Sequence, residues 1–262
     1  MGSESATRTV LVALAVALAC SLMVSTAVYY LRPMQLAYTR LVQNRSIIET
    51  AGLVSSGEKI SDREIIRLFL ALEAHVVDLA TGQFMDDMDP LTYEQRKAAA
   101  DPEFSIAIPA SSDIAGLTHR ARFAPVYLLK NGDDIELIVM PIHGQGMWSR
   151  IYGHIALAED LNTVVAIRFY EHGETPGIGD RIQDPEWNSR WSGKRLFDDT
   201  GEFSLHVAAR DTVSPHRVDS ISGATVSAQG VGKLVRYWLG DDGFGPFLRR
   251  MREAQYNIDS ED

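Results

Sequence analysis

The sequence predicts an α+β domain, a twisted antiparallel sheet with helices at both ends, tethered by a single N-terminal transmembrane helix. Three observations predict it: an uncharged apolar run from Val10 to Leu31, two apolar runs joined by Asn131-Gly132, and helical apolar stripes on either side of a strand-rich middle. No internal repeat or low-complexity tract interrupts this plan.

Val10 to Leu31 carries no charge between Arg8 and Arg32, and at roughly 1.5 Å per residue it spans a ~30 Å hydrocarbon core once. A cleaved secretory signal and a lipoprotein signal, with Ala17-Leu18-Ala19-Cys20 as a degenerate lipobox, are the alternatives. Against both, the apolar run continues past Cys20 to Tyr29-Tyr30, which sit where an interfacial aromatic belt would lie. The anchor is therefore expected to stay uncleaved. Charge orients it with the large domain in the cytoplasm, since Arg8 stands on one side and Arg32, Arg40 and Arg45 on the other.

Met34 to Thr50 then has a helical period, with Ala51-Gly52-Leu53 as its stop. Ser61-Asp62-Arg63-Glu64 reads as a capping box opening a helix through Ile65, Leu68, Phe69 and Leu72. From Ala80 to Gly116 the chain turns polar and acidic, and its Asp86, Asp87 and Asp89 lack the glycine and terminal glutamate of a calcium loop. A solvated excursion is expected there.

Strands follow at Phe123 to Leu129 and Ile135 to Met140, because Asn-Gly between apolar runs signals a hairpin. A second pair, Ile151 to Leu157 and Thr163 to Tyr170, flanks Asp160-Leu161-Asn162, and a further strand is expected at Phe203 to Ala208. Trp187 and Trp191 share a face of a short helix begun after Pro185. Val231, Leu234, Val235 and Trp238 form the stripe of a helix ended by Gly240, and Pro246 starts the last helix. Domain organisation is thus expected as a tail at 1–9, the anchor at 10–31, a helical and connecting region at 32–120 and the main domain at 121–262.

Composition closes several functional classes. A net charge of −10 without a lysine or arginine cluster argues against nucleic acid. The single cysteine, Cys20, excludes an intrachain disulfide, a CxxC redox motif and a cysteine-ligated iron–sulfur cluster. Any membrane attachment must come from the apolar segment, because the rest of the chain is acidic. A redox role would need an organic cofactor.

The chemistry-bearing stretch is Asp219-Ser220-Ile221-Ser222-Gly223-Ala224-Thr225-Val226-Ser227. Small residues Ser222, Gly223 and Ala224 let backbone approach a bulky group. Thr225 offers a hydroxyl where a helix begins, and a helix N-terminus is a ready phosphate site. A plain N-cap at Thr225 explains the same residues.

The pattern Asp-x-x-Ser/Thr-Gly-Ala-Ser/Thr-x-Ser/Thr resembles the attachment motif of the FMN-binding domain family, in which flavin mononucleotide is esterified through its phosphate to a threonine. Asp219, Ser222, Gly223, Ala224, Thr225 and Ser227 fill it without departure. The segments Gly144 to Gly153 and Phe169 to Gly179 resemble the NqrC family, flavin-carrying members of sodium-translocating NADH:quinone reductases. That resemblance covers most of the chain.

The resemblance implies FMN held by a phosphoester on Thr225, a separate flavin transferase for its attachment, and partner subunits that oxidise NADH, move sodium and reduce quinone. The chain would be an electron relay without catalytic residues of its own. It further implies a single-pass inner-membrane protein with residues 121–262 as the FMN-binding domain on the periplasmic side, against the charge count. Ser222, Gly223 and Ala224 border the flavin by this reading, with Met147, Trp148, Thr175, Gly177 and Ile178. By pattern alone Met147 and Trp148 are ordinary core residues, and Thr175 to Gly179 is a rigid turn.

Glu171, His172 and Glu174 form the most tempting metal constellation. Strand alternation sends Glu171 and His172 to opposite faces and no fourth ligand is indicated, so no metal site is expected. His75, His119, His143, His154, His206 and His216 show no ligand spacing and are read as structural. Lys194 and Arg195, with Lys233 behind them, are candidates to neutralise the flavin phosphate. Two alternative functions stay open: the flavin subunit of an Rnf-type ferredoxin:NAD oxidoreductase, and a membrane-tethered sensor or ligand-binding module whose Thr225 is only a cap.

Overall fold

A computed structural model describes residues 3–132, 134–209 and 213–259. The chain divides into two compact units, residues 1–43 and 44–262. A single helix, α1 (Ser3–Thr50), accounts for the whole described part of the first unit and the opening of the second. Pro33 lies inside it without ending it, and the expected tail, anchor and following helix are one element. Side chains from Val10 to Leu31 are exposed, and the helix is long and apolar enough to cross a membrane.

In the second unit the fold is α+β, as its sequence pattern predicts. Helix α2 (Asp62–Phe69) starts on Ser61, whose hydroxyl accepts the Glu64 N–H at 3.3 Å. Only half of the capping box forms, because the Glu64 carboxylate pairs with Arg67. The helix stops at Phe69, and the chain turns at once into β1 (Glu73–Asp78). This strand is the difference of most consequence from the sequence expectation, since it places part of the 32–120 region inside the main sheet.

Helix α3 (Gln95–Ala100) and the small ribbon of β2 (Ser105–Ala107) with β3 (His119–Ala121) order the stretch expected as a solvated excursion. The main sheet continues with β4 (Phe123–Asn131), β5 (Asp134–Gln145), β6 (Arg150–Ala158) and β7 (Val164–Glu171). Its order is β1-β4-β5-β6-β7, antiparallel throughout. The Asn131-Gly132 hairpin closes with Asn131 opposite Asp134.

After β7 come a 3₁₀ turn at Gly179–Gln183 and helix α4 (Pro185–Ser189). Then β8 (His206–Ala208) pairs with β9 (Arg217–Asp219) in parallel, apart from the main sheet. The expected strand at Phe203 to Ala208 is therefore shorter and not part of the antiparallel meander. Helices α5 (Thr225–Leu239) and α6 (Gly245–Asp259) end the chain.

The apolar stripe of α5, with Val231, Leu234, Val235 and Trp238, joins one core cluster with Ile138, Met140 and Ile142 of β5 and Ile151, Ile155 and Leu157 of β6. Alternate residues of the strands face the other way. On that face His154 stacks on Tyr170, and its Nδ1 lies 2.8 Å from Ser46 Oγ in the last turns of α1. Both sheet faces are thus covered, by α5 and by the C-terminal turns of α1 respectively.

Candidate functional site

The site forms where the end of β5, the loop after β7 and the start of α5 meet. A cleft of about 250 Å³ is lined there by Met147, Thr175, Ile178 and the run Gly223 to Ser227, with Glu174 and Gly179 at its wall. Residues more than 70 positions apart in the chain are thus adjacent in space, because β5 and α5 pack against each other through the core.

The attachment-type loop is shaped before α5 begins. Gly223 sits at φ +82°, a conformation that suits glycine, and Ala224 N–H returns to the Ile221 carbonyl at 3.0 Å. Two side chains from elsewhere hold the loop: Trp187 Nε1 donates to the Asp219 carbonyl at 2.8 Å, and Arg181 Nη1 donates to the Ser222 carbonyl at 3.0 Å. Trp187 is itself buried edge-on against Trp191. The Trp pair after Pro185 is packing, and one member also anchors this loop.

Thr225 is the first residue of α5, and the cap position belongs to Ala224, which makes no side-chain cap hydrogen bond. The reading of Thr225 as a plain N-cap is corrected by this geometry. Its side chain is exposed at the mouth of the cleft, and α5 begins with no side chain on its leading N–H groups. An anion fits such an end.

Glu174 organises the opposite wall. Its Oε1 accepts the N–H groups of Trp148 at 3.1 Å and Ser149 at 3.4 Å, and its Oε2 accepts Met147 N–H at 3.2 Å and the Ser227 hydroxyl. One carboxylate therefore ties the Gly146 turn to the first turn of α5. Burial pushes this carboxyl up, but the donations from Ser227, Trp148, Met147 and Ser149 together outweigh it and hold the group below the ordinary carboxylate range. Glycines keep the wall thin: a Cβ on Gly146 would lie 2.5 Å from Glu174 Oε1, and one on Gly179 3.0 Å from Ser227 Oγ.

Most of the sequence-named residues converge here. Met147, Thr175, Ile178, Gly223, Ala224 and Thr225 line the cleft; Trp148, Gly177 and Ser222 border it in sequence without lining it. Gly177 lies in the turn where Thr175 O accepts the N–H groups of Ile178 and Gly179. Apolar surface is concentrated around the opening, with Trp148 67% exposed, Ile178 52%, Val226 53% and Met147 50%. Met147 and Trp148 are therefore not core residues. Such a patch beside an uncapped helix end is what a ligand with a flat apolar body and a phosphate tail requires.

Lys194 and Arg195 are occupied elsewhere, Lys194 Nζ on the Ser214 carbonyl and Arg195 beside Asp199, and neither lines the cleft. Lys233 lines a different cleft. Glu171 pairs with Arg96, so Glu171, His172 and Glu174 do not form a ligand set, and no metal-holding group of three such side chains occurs among the described residues. Glu174, which the sequence offers only as a metal-ligand candidate, and Arg181 are the residues shaping the cleft whose roles local pattern does not show. Glu174 bonds residues 25 to 53 positions away, and only the fold reveals such partners.

The family model of the FMN-binding domain matches residues 146–240, which run from the Glu174-held turn through α5. The chain is 42% identical over 259 residues to the NqrC protein of the Na(+)-translocating NADH-quinone reductase of Pseudomonas aeruginosa, covering 96% of this chain and 98% of that one. It is likewise 42% identical over 258 residues to the same protein of Vibrio vulnificus, covering 97% and 99%. The crystal structure of Shewanella oneidensis NqrC superposes with a TM-score of 0.71 at 36% identity, covering 80% of this chain and 96% of that one. The corresponding protein from Parabacteroides distasonis superposes with a TM-score of 0.64 at 25% identity, covering 83% and 96%. With a full-length likeness, an FMN-binding domain and a membrane-length helix, the chain belongs to the NqrC family of Na(+)-translocating NADH-quinone reductase subunits.

Proposed function

We propose that the chain carries FMN as a phosphoester on Thr225 and relays electrons within a membrane-bound sodium-translocating NADH:quinone reductase. The observation that carries this reading is the exposed Thr225 hydroxyl at the uncapped start of α5, inside a cleft lined by Met147, Ile178 and Val226. Bound FMN supplies the electron transfer itself. Gly223 and Ala224 keep the backbone close to the phosphate, and the leading N–H groups of α5 face its charge. Trp148 and the Thr175 to Ile178 turn offer the apolar wall for the ring, with Gly177 taking the φ of +76° that the turn needs and the Ser222 carbonyl held by Arg181.

A separate flavin transferase makes the bond, since the cleft has no nucleotide-handling motif, and the exposure of Thr225 leaves it accessible to such an enzyme. Coexpression with a flavin transferase is the test. The wild-type band should keep flavin fluorescence on a denaturing gel and Thr225→Ala should lose it, with circular dichroism unchanged because the cap position is Ala224. Fluorescence retained in Thr225→Ala would place the flavin elsewhere.

The proposed topology is one inner-membrane helix with the flavin domain on the periplasmic side and partner subunits around it. Protease added to spheroplasts should then digest residues 44–262. A domain protected until the membrane is broken would support the arginine count instead.

A further inference from the structure

Away from the flavin cleft, two other clefts open on the surface and share a wall residue. One, of about 480 Å³, lies between the end of α5, the start of α6 and the Phe197 to Phe203 loop; the other, of about 250 Å³, lies between α5 and β8. Arg236 lines both. Gln229, Lys233, Arg236 and Gly240 fall at helical spacings of three and four along α5, so the two clefts lie along one stripe of that helix. Arg249 and Arg252, one turn apart on α6, extend the stripe across the larger cleft.

The charge of this stripe runs against the rest of the molecule. In a chain of net charge −10, Lys233, Arg236, Arg249 and Arg252 line these clefts against two carboxylates, Glu202 and Asp241. Asp241 pairs with Arg249. Among the described residues neither Lys233 nor Arg236 enters an ion pair, and Arg236 lies over the Phe203 ring at 5.6 Å. Arg252 lies over Phe197 at 4.4 Å and donates to the Leu161 carbonyl, while its buried Nε has no hydrogen-bond partner. Burial first, and the neighbouring Arg249 second, weigh against its charge and together outweigh the nearby Asp160 carboxylate. Phenylalanine rings beneath guanidinium groups leave the cation heads for an incoming anion.

We infer that this stripe is a docking surface for an acidic peptide segment of another polypeptide, its carboxylates meeting Lys233, Arg236, Arg249 and Arg252 in sequence along α5 and α6. An extended occupant is favoured over a single small oxyanion because the cations are strung along two neighbouring clefts that share Arg236. A small anion would engage one cleft and leave the other cations unmet. The proposal does not depend on the flavin reading, since no residue of the Thr225 cleft takes part.

The experiment titrates full-length protein in a non-ionic detergent with fluorescein-labelled hexaglutamate, read by anisotropy, with unlabelled hexaglutamate and inorganic pyrophosphate as competitors. Saturable binding with a half-point below about 1 mM is expected, together with a roughly tenfold loss in Arg236→Glu and in Arg249→Glu. Lys233→Glu, whose side chain is exposed, should weaken binding in the same sense and serves if an arginine variant misfolds. Arg63→Glu, on the exposed side of α2, should leave it unchanged. Equal losses from Arg63→Glu and Arg236→Glu would reduce the effect to general charge and overturn the proposal. So would the absence of saturable binding, or pyrophosphate binding that needs Arg236 while hexaglutamate fails to bind.

Discussion

At the scale of single residues, Glu174 is the side chain on which the site geometry depends. It is 4% exposed, yet its two oxygens accept four donors, three of them backbone N–H groups of consecutive residues. Hydrogen bonds to a charged acceptor are worth about 1.5–3 kcal/mol each, but donors on a surface turn regain water when released. Glu174→Gln in flavin-free protein is therefore expected to cost on the order of 2 kcal/mol at neutral pH. Because its folded-state pKa is depressed, that stability is present above the ordinary carboxylate value and is lost as pH falls through the folded one. The gap between wild type and Glu174→Gln in urea unfolding should accordingly close in acid, and a gap independent of pH would mean that the side chain acts through packing. Thr225 was legible in the sequence because its motif is contiguous. Glu174 is legible there only as a candidate metal ligand, because its partners are set by the meeting of β5, β7 and α5.

Among the elements, β5 and β6 show how a strand with two faces serves two purposes. Ile142, Ile151 and Ile155 go to the α5 side, while His154 goes to the other and stacks on Tyr170; His143 stacks on Tyr152 and lies 4.6 Å from the Trp238 ring of α5. Arg96 from α3 lies 3.4 Å over the Tyr152 ring and donates to the Tyr170 hydroxyl at 3.0 Å. Burial first, and the Arg96 charge second, push both imidazoles down to about 3, so both are neutral in the folded protein. Unfolding lets them bind protons below the free value of about 6.5. Stability should then fall as pH drops from there toward 3, by up to about 1.4 kcal/mol per pH unit for each histidine. His154→Gln should flatten that slope, and a slope unchanged in both His143→Gln and His154→Gln would assign acid lability to other groups. Strand alternation in the sequence showed these strands well, since their apolar residues repeat every second position. It missed β1 and β9, which are short and polar at their ends and exist only because β4 and β8 offer them an edge.

For the whole molecule, the question is where the soluble body begins. A boundary at residue 121 follows naturally from composition, which turns acidic before the first Asn-Gly hairpin. Contacts draw it at Asn44 instead, because β1 completes the sheet edge and the last turns of α1 cover its second face. Ile47 and Ile48 are buried there with Ala51, and Ser46 Oγ meets His154 Nδ1. Burying an isoleucine is worth about 1.5–3 kcal/mol, so this short stretch contributes roughly 3–6 kcal/mol before the polar contact is counted. Total stability of a domain is only about 5–15 kcal/mol, which makes the stretch decisive. Seven helical residues would not hold their shape alone; packing on the sheet is what keeps residues 44–50 helical once the membrane segment is removed. A chain starting at Asn44 is therefore expected to be soluble, monodisperse and cooperatively folded. One starting at Ser56 should expose the face bearing His154 and Tyr170 and aggregate or melt far lower. Size-exclusion chromatography and thermal melts of the two truncations decide between these outcomes: if the chain from Ser56 melts within a few degrees of the chain from Asn44, the end of α1 is a linker and the second face of the sheet does not need it.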